Sequence, residues 1–203
     1  MAAPDFGSRL FLDRREPHKP INDIMSFIVR LIDSSSEFTG KLCAWALFAV
    51  GLCITYEISV RSDIARALLG TAPTIWVDEV SRIIQVWVAY LAPAYVMKNR
   101  GMITIEVALK DPASIARRVA ETLGIFMLFI FAGVAAYYGF ELWLKATLAG
   151  HTTDSFLAPP KWLTHAAVWV GFSLFIAQGF AELYRIWTFG ISEPNNDPLA
   201  GSH

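Results

Sequence analysis

Four apolar runs, separated by shorter polar segments, recur along this chain. Each run contains at least fifteen consecutive residues without a formal charge. A helix needs about 20 mostly apolar residues to cross the hydrocarbon core of a bilayer, so the turns that flank each run must supply the rest. The pattern predicts four transmembrane helices, at about 38–60, 75–98, 119–145 and 161–187.

A shorter apolar pattern precedes the first run. Apolar residues recur at helical spacing from Ile21 to Ile32, with polar residues around the rest of the helix. This predicts an amphipathic helix over 21–36, which ends where Ser34–Ser36 interrupt the pattern, and which either anchors at the lipid boundary or docks on a partner. The rest of the chain divides into a polar tail over 1–20, a four-helix membrane domain over 37–188 and a polar tail over 189–203.

Composition changes this picture little. Of the 203 residues, 55% are hydrophobic and 17% are charged, which is unusual for a soluble domain. The expected fold class is therefore an all-α integral membrane protein. The formal net charge of -1 argues against a strongly basic nucleic-acid-binding protein.

The cysteines and histidines give little sign of a metal, haem or redox site. Cys43 and Cys53 share the first apolar run, about 15 Å apart along one helix, which is too far for a disulfide within it. His165 is the one histidine in the fourth run, and no facing histidine stands at a comparable place in another span. We expect His165 to make a polar contact near the helix mouth.

Charge enters the membrane at the start of the second predicted span. Trp76 is followed by Asp78 and Glu79, and Arg82 stands one turn later. Residues three or four apart are neighbours on a helix, so either acid can offset part of the desolvation of Arg82. Two interpretations stay open: an interfacial ion pair with the guanidinium reaching towards water, or a buried contact with another membrane helix.

The first span ends with a similar pair. Glu57 stands four residues before Arg61, a spacing that favours an exposed ion pair at the helix end over an ion-coupling role for Glu57. Glu141 and Lys145 repeat the spacing at the end of the third span. No Asp, Glu, Lys or Arg interrupts the four uncharged runs, so the sequence predicts no proton relay through the membrane centre.

Basic residues predict the orientation. Lysine and arginine are concentrated before the first span and in the connection after the second span, and are sparse in the other two connections. The positive-inside rule then places both termini in the cytoplasm. In this orientation acids and bases from three helices meet near the outer face and are expected to pair there. These residues are Glu57, Arg61, Asp78, Glu79, Arg82, Glu141 and Lys145.

The residues around the second span resemble a known family. The succession consists of Trp76, Asp78, Glu79, Arg82, Trp87, Arg100, Gly101, Ile103 and Leu109. It is similar to the small membrane subunit (DctQ-like) of tripartite ATP-independent periplasmic (TRAP) transporters, in which a Trp, an acid pair and an Arg open the second span. Tyr56–Arg61 and Ser155–Trp162 also resemble family segments, whereas Ala92 and Met102 stand where the family often has Gly and His.

The resemblance implies a scaffold within a transport complex. In such a complex a large, many-span subunit carries the substrate and sodium sites, and a periplasmic binding protein delivers an organic carboxylate. This chain would then hold no catalytic, cofactor or metal site, and would lie among lipids in the cytoplasmic (inner) membrane of a bacterium or archaeon. The structural and assembly candidates are Trp76, Asp78, Glu79, Arg82, Trp87, Arg61, Glu57, Arg100 and Gly101.

Two other classes of function stay open at this point. The first alternative is a self-contained small carrier that couples to protons through Glu57 or Glu79. The second is a membrane enzyme or haem subunit with His165 and His151 as candidate ligands. The carrier predicts solute transport by the chain alone. The haem subunit predicts a visible absorption spectrum, and the sequence offers no nucleophile–base pair or metal cluster at a recognisable spacing for other chemistry.

Overall fold

The computed structural model describes residues 20–62, 74, 76–99 and 115–190, with side chains from residue 24 onwards. The regular elements in these ranges are helices, and each is long and apolar enough to cross a membrane, which confirms the four predicted membrane helices. They are α1 (Pro20–Arg61), α2 (Trp76–Lys98), α3 (Ile115–Leu148) and α4 (Lys161–Thr188). The predicted tails at 1–20 and 189–203 lie almost wholly outside the described residues, and Arg100 and Gly101 lie entirely outside them.

The helices alternate in direction, so the bundle has two distinct ends. Asp33 near the start of α1 pairs with Arg185 near the end of α4. We call this the terminal end, where α1 and α3 begin and α2 and α4 end. At the opposite end, here the loop end, Thr74 donates a hydrogen bond to Glu57 near the end of α1, and Thr74 stands two positions before α2. The first and last described helices therefore begin and finish on the same side of the bundle.

Helix α1 differs from the two separate segments that the sequence predicts. It continues through Ser34–Ser36 without a break, so the amphipathic pattern and the first span form one helix of 42 residues. The serines are accommodated because their hydroxyls find acceptors: Ser35 donates to the Leu31 carbonyl, and Ser36 donates to the side chain of Gln178. Whether the first part of α1 lies at a lipid boundary stays a prediction.

Helices α1 and α3 each bury a narrow seam with a seven-residue repeat. The fully or nearly buried positions on α3 are Ile125, Ala132, Gly139 and Ala146. Those on α1 include Val29, Ser36, Cys43, Val50 and Glu57. A repeat of seven residues keeps one edge of a helix against its neighbour, as in the left-handed packing of helix bundles. Most of the remaining surface of both helices faces outward.

Helix α4 is the centre of the bundle. Among the described helices it packs against all three others, whereas α3 packs on α4 alone. Small residues permit the close crossings, as is usual between membrane helices. At Gly171 an added Cβ would collide with the Tyr90 carbonyl of α2, and at Gly139 it would lie 2.8 Å from the Val168 side chain.

Candidate functional site

The charged residues at the loop end pair within their own helices. Arg61 Nε lies 2.6 Å from Glu57 Oε1, and both residues belong to α1. Arg82 pairs with Asp78 at 2.8 Å on α2. Lys145 Nζ lies 2.6 Å from Glu141 Oε1 on α3. Each pair has the i, i+4 spacing, so the expectation of ion pairs between three helices at this end is wrong for the described residues.

Glu79 does not pair with Arg82. Its carboxylate instead accepts a hydrogen bond from the backbone N–H of Leu157, at 3.1 Å and 3.3 Å to its two oxygens. Leu157 belongs to the connection between α3 and α4, which Thr152 and Pro160 close through an isolated β-bridge. Glu79 therefore fixes this connection to the first turn of α2.

The other loop-end candidates differ in burial. Glu57 is 8% exposed and, besides Arg61, accepts a hydrogen bond from the Thr74 hydroxyl. Trp76 is 47% exposed, whereas Trp87, deeper in α2, is half-buried. Because Glu57 has two partners in the same place, its carboxylate is satisfied where it stands.

An open cavity of about 540 Å³ lies between α1 and α2 at the loop end. Its apolar part includes Ile54 and Ile58 of α1 and Val77 of α2. Its polar part brings together five of the sequence candidates with Ser81 and Gln85. These candidates are Glu57, Arg61, Asp78, Glu79 and Arg82. The sequence candidates are thus gathered in one place, although their ion pairs remain within helices.

The polar contacts that join helices lie instead at the terminal end. Arg185 of α4 forms an ion pair with Asp33 of α1. Gln178 donates to Asp33 Oδ1 at 3.0 Å and accepts from the Ser36 hydroxyl at 2.7 Å. Arg185 also lies 3.4 Å from Glu182. We call these five residues the terminal-end network.

The side chains of the terminal-end network are largely buried. Ser36 and Gln178 are fully buried, and Glu182 and Arg185 are 6% and 8% exposed. Charges removed from water are tolerated only when they are paired and hydrogen-bonded, and each side chain of the network has at least one such partner. The network fixes both the rotation and the height of α1 against α4.

A second ionic contact extends this layer to α2. Lys98 Nζ lies 2.7 Å from Glu37 of α1, and its side chain is 16% exposed. Glu37 also holds Lys41 at 2.8 Å, one turn further along α1. On α3, Arg117 and Glu121 pair at 3.2 Å near the same end. Ionic groups at the terminal end therefore join α1 to both α2 and α4.

Sequence reasoning missed the terminal-end network. The pattern over 21–36 predicted a surface helix, and no residue at the end of the fourth span was singled out as a contact between helices. One signal was present: Gln178 is the one amide side chain in the fourth uncharged run. A polar residue inside a membrane helix usually faces another helix, so Gln178 pointed to an interhelical contact.

The arrangement suits assembly better than chemistry. In the described residues no group of three His, Cys, Asp or Glu side chains is placed to hold a metal ion. His165 Nδ1 lies 3.3 Å from the neighbouring Thr164 hydroxyl. The ion pairs described above lie towards the two ends of the bundle.

Comparison with known proteins gives one finding. The family model described as "Tripartite ATP-independent periplasmic transporters, DctQ component" matches residues 53–189. The match runs from the last turns of α1 to the end of α4, which is more than half of the chain. The comparison with curated proteins gives no match.

Proposed function

Because this chain belongs to the DctQ family of tripartite ATP-independent periplasmic (TRAP) transporter components, we propose that it is the scaffold subunit of such a transporter. It is a multi-pass membrane protein of a family that works with a large membrane component and a binding protein. In our proposal it supports the large subunit in a cytoplasmic (inner) membrane. The large subunit carries the sodium and substrate sites, and the binding protein supplies an organic carboxylate.

The division between buried and outward surface carries this proposal. Helices α1 and α3 each bury one narrow seam inside the bundle, and their broad apolar faces point outward. On α1 the side chains of Phe38, Trp45 and Phe48 are at least 60% exposed. On α3, Phe131 is 66% exposed. Such a bundle is a stable body with much surface left for lipid and for a protein partner, as a scaffold requires.

The interior supports a structural role as well. Carriers usually bind their substrate near the bilayer midplane, between helices that are broken there. The four described helices each continue without a break, and α2 does so despite Pro93. We therefore place the substrate site on the large subunit and assign this chain no catalytic step and no cofactor.

Reconstitution in sealed vesicles tests the proposal. We expect no solute uptake by this chain alone under a sodium or proton gradient. Vesicles that contain this chain, the large subunit and the binding protein should accumulate a carboxylate when sodium is outside. Uptake by this chain alone would overturn the scaffold role and would favour a self-contained carrier.

A second experiment tests whether the large subunit needs this chain. Without this chain, the rate of sodium-driven uptake by the reconstituted large subunit should fall at least about tenfold, or the large subunit should fail to stay folded in detergent. Equal uptake and equal stability with and without this chain would contradict the proposal.

A further inference from the structure

The outward face of α2 differs in kind from the outward faces of α1 and α3. Five of its seven exposed positions follow one another at intervals of three, four and seven residues, so they form one stripe along the helix. The other two, Trp76 and Val80, lie near its first turn and outside this stripe. The stripe consists of Asp78, Arg82, Gln85, Ala89 and Val96, with Ala92 half-buried beside it. We call it the α2 stripe. It is polar in its first half, and its second half has the small residues Ala89 and Ala92 followed by Val96.

The outward faces of the other helices carry large apolar side chains. On α3 they include Leu123, Phe126 and Ile130, each more than half exposed. On α1 they include Leu42 and Leu52, with similar exposure. Large apolar side chains suit contact with lipid tails, whereas small and polar side chains are typical of contacts between membrane helices. The α2 stripe therefore has the composition of a helix interface, although it lies outside this bundle.

Gln85 is the strongest single indication. It stands nine residues after Trp76, which places it about 14 Å along the helix from that residue and well inside the span. Its side chain is exposed, and it makes no hydrogen bond to any described residue. Lipid tails offer no hydrogen-bond partner, so an amide facing them is unfavourable. A protein group opposite Gln85 would remove that penalty.

The cavity between α1 and α2 opens beside the same residues. Asp78, Arg82 and Gln85 line it together with Ile54 and Ile58 of α1. Asp78 and Arg82 are 68% and 71% exposed, so their pair offers charges of both signs at its mouth. Ala89, one turn deeper, leaves room for the backbone of another helix to approach closely. Charge, hydrogen bonding and shape thus point to one face.

We propose that the α2 stripe is the docking surface for a transmembrane helix of the large transport subunit. The inference rests on the proposed function and adds the face through which the two subunits meet. The docked helix presents a hydrogen-bonding side chain to Gln85 and inserts a side chain into the cavity beside Ile54 and Ile58. The large apolar face of α3 then faces lipid.

A matched pair of substitutions tests this assignment in the full-length chain, co-expressed with the large subunit. Ala89→Trp places a bulky side chain on the α2 stripe, and Val134→Trp places the same side chain on the outward face of α3, where Val134 is 54% exposed. Both positions face away from this bundle, so both variants should fold. We expect Ala89→Trp to reduce copurification of the large subunit at least tenfold and Val134→Trp to change it less than twofold.

Cross-linking identifies the occupant. A p-benzoylphenylalanine placed at position 85 should form a photo-adduct with the large subunit, and the same residue at position 134 should not. Adducts at position 85 with lipid alone, or with a second copy of this chain, would overturn the proposal. So would normal copurification of the Ala89→Trp variant.

The wild-type control separates failure of the proposed docking surface from failure of the proposed scaffold role. If wild-type chain retains the large subunit and the Ala89→Trp variant retains it equally, the docking surface is wrong and the scaffold role stands. If wild-type chain fails to retain the large subunit, both proposals fall. Circular dichroism and gel filtration of each variant report whether the fold is kept.

Discussion

Arg185 and Asp33 form an ion pair although 152 residues separate them in the chain. The pair joins the last described helix to the first, and Gln178 and Ser36 extend it with hydrogen bonds at 3.0 Å and 2.7 Å. Both charged side chains are largely buried, at 9% and 13% exposure. In such surroundings an ion pair acts as a strict constraint on position, because a displaced charge has no water to replace its partner.

We expect Asp33→Ala to destabilise the bundle strongly. Removing one member of a buried ion pair typically costs about 3–5 kcal/mol, because the other charge stays buried. We predict a loss near the lower end of that range, since Arg185 keeps its contact with Glu182. The free energy of unfolding in mixed detergent micelles measures it.

The matched control is Asp78→Ala, which removes an exposed ion pair on α2. Exposed pairs contribute at most about 1 kcal/mol, so this variant should unfold close to wild type. Equal losses for the two variants would show that the terminal-end network is not a special constraint.

Gly171→Ala should weaken the packing of α4 on α2. The added Cβ would collide with the Tyr90 carbonyl, which is backbone and cannot move aside by a rotamer change. Overpacking of this kind costs about 1–3 kcal/mol. Gly133→Ala on α3 is the control, because an added Cβ there meets nothing within 4 Å and alanine favours the helix by up to about 1 kcal/mol. The same unfolding measurement should give opposite signs for the two variants.

Glu79→Ala should release the connection between α3 and α4. The carboxylate of Glu79 accepts the Leu157 N–H, and a hydrogen bond to a charged group contributes about 1.5–3 kcal/mol. We therefore expect hydrogen exchange at the Leu157 amide to rise by about tenfold or more. Asp78→Ala, one residue earlier, should leave this exchange unchanged. An unchanged Leu157 amide in Glu79→Ala would mean that the connection is held by its own backbone contacts.

Glu57→Gln tests the ion-coupling alternative. An amide oxygen can still accept the Thr74 hydroxyl, so the substitution keeps that hydrogen bond while it removes the charge and the ion pair with Arg61. If Glu57 is structural, the reconstituted complex should transport at a rate within about twofold of wild type, whatever the proton gradient. Complete loss of transport in a complex that still assembles would establish Glu57 as a coupling residue.

The sequence was a good guide to the helices because their lengths follow from the bilayer. A long uncharged run must become a helix to satisfy its own backbone groups, so the runs at 75–98 and 161–187 correspond to α2 and α4. Pairs at i, i+4 were equally readable: Glu57–Arg61 and Glu141–Lys145 both form. The expectation that the first pair is exposed is wrong for Glu57, which is 8% exposed. Both inferences use only local geometry.

Contacts between helices were out of reach for a physical reason. Ser36 meets Gln178 only because α1 and α4 pack with a particular rotation, and the two residues are 142 positions apart in the chain. The serines that suggested a break are held inside one helix, since a hydroxyl can bond to its own preceding turn or to a neighbouring helix. The sequence left either Asp78 or Glu79 as the partner of Arg82. In the structure Asp78 takes that place, and Glu79 accepts a backbone N–H from a distant connection.

The central place of α4 bears on how the protein is made. Ribosomes synthesise α4 after the other three helices, and α4 is the one described helix on which α3 packs. During translation α1 and α2 can already associate, whereas α3 must wait in the lipid until α4 is inserted. A nascent chain arrested before Lys161 would therefore leave α3 without its helix partner, a form that membrane quality-control proteases can distinguish from the finished bundle.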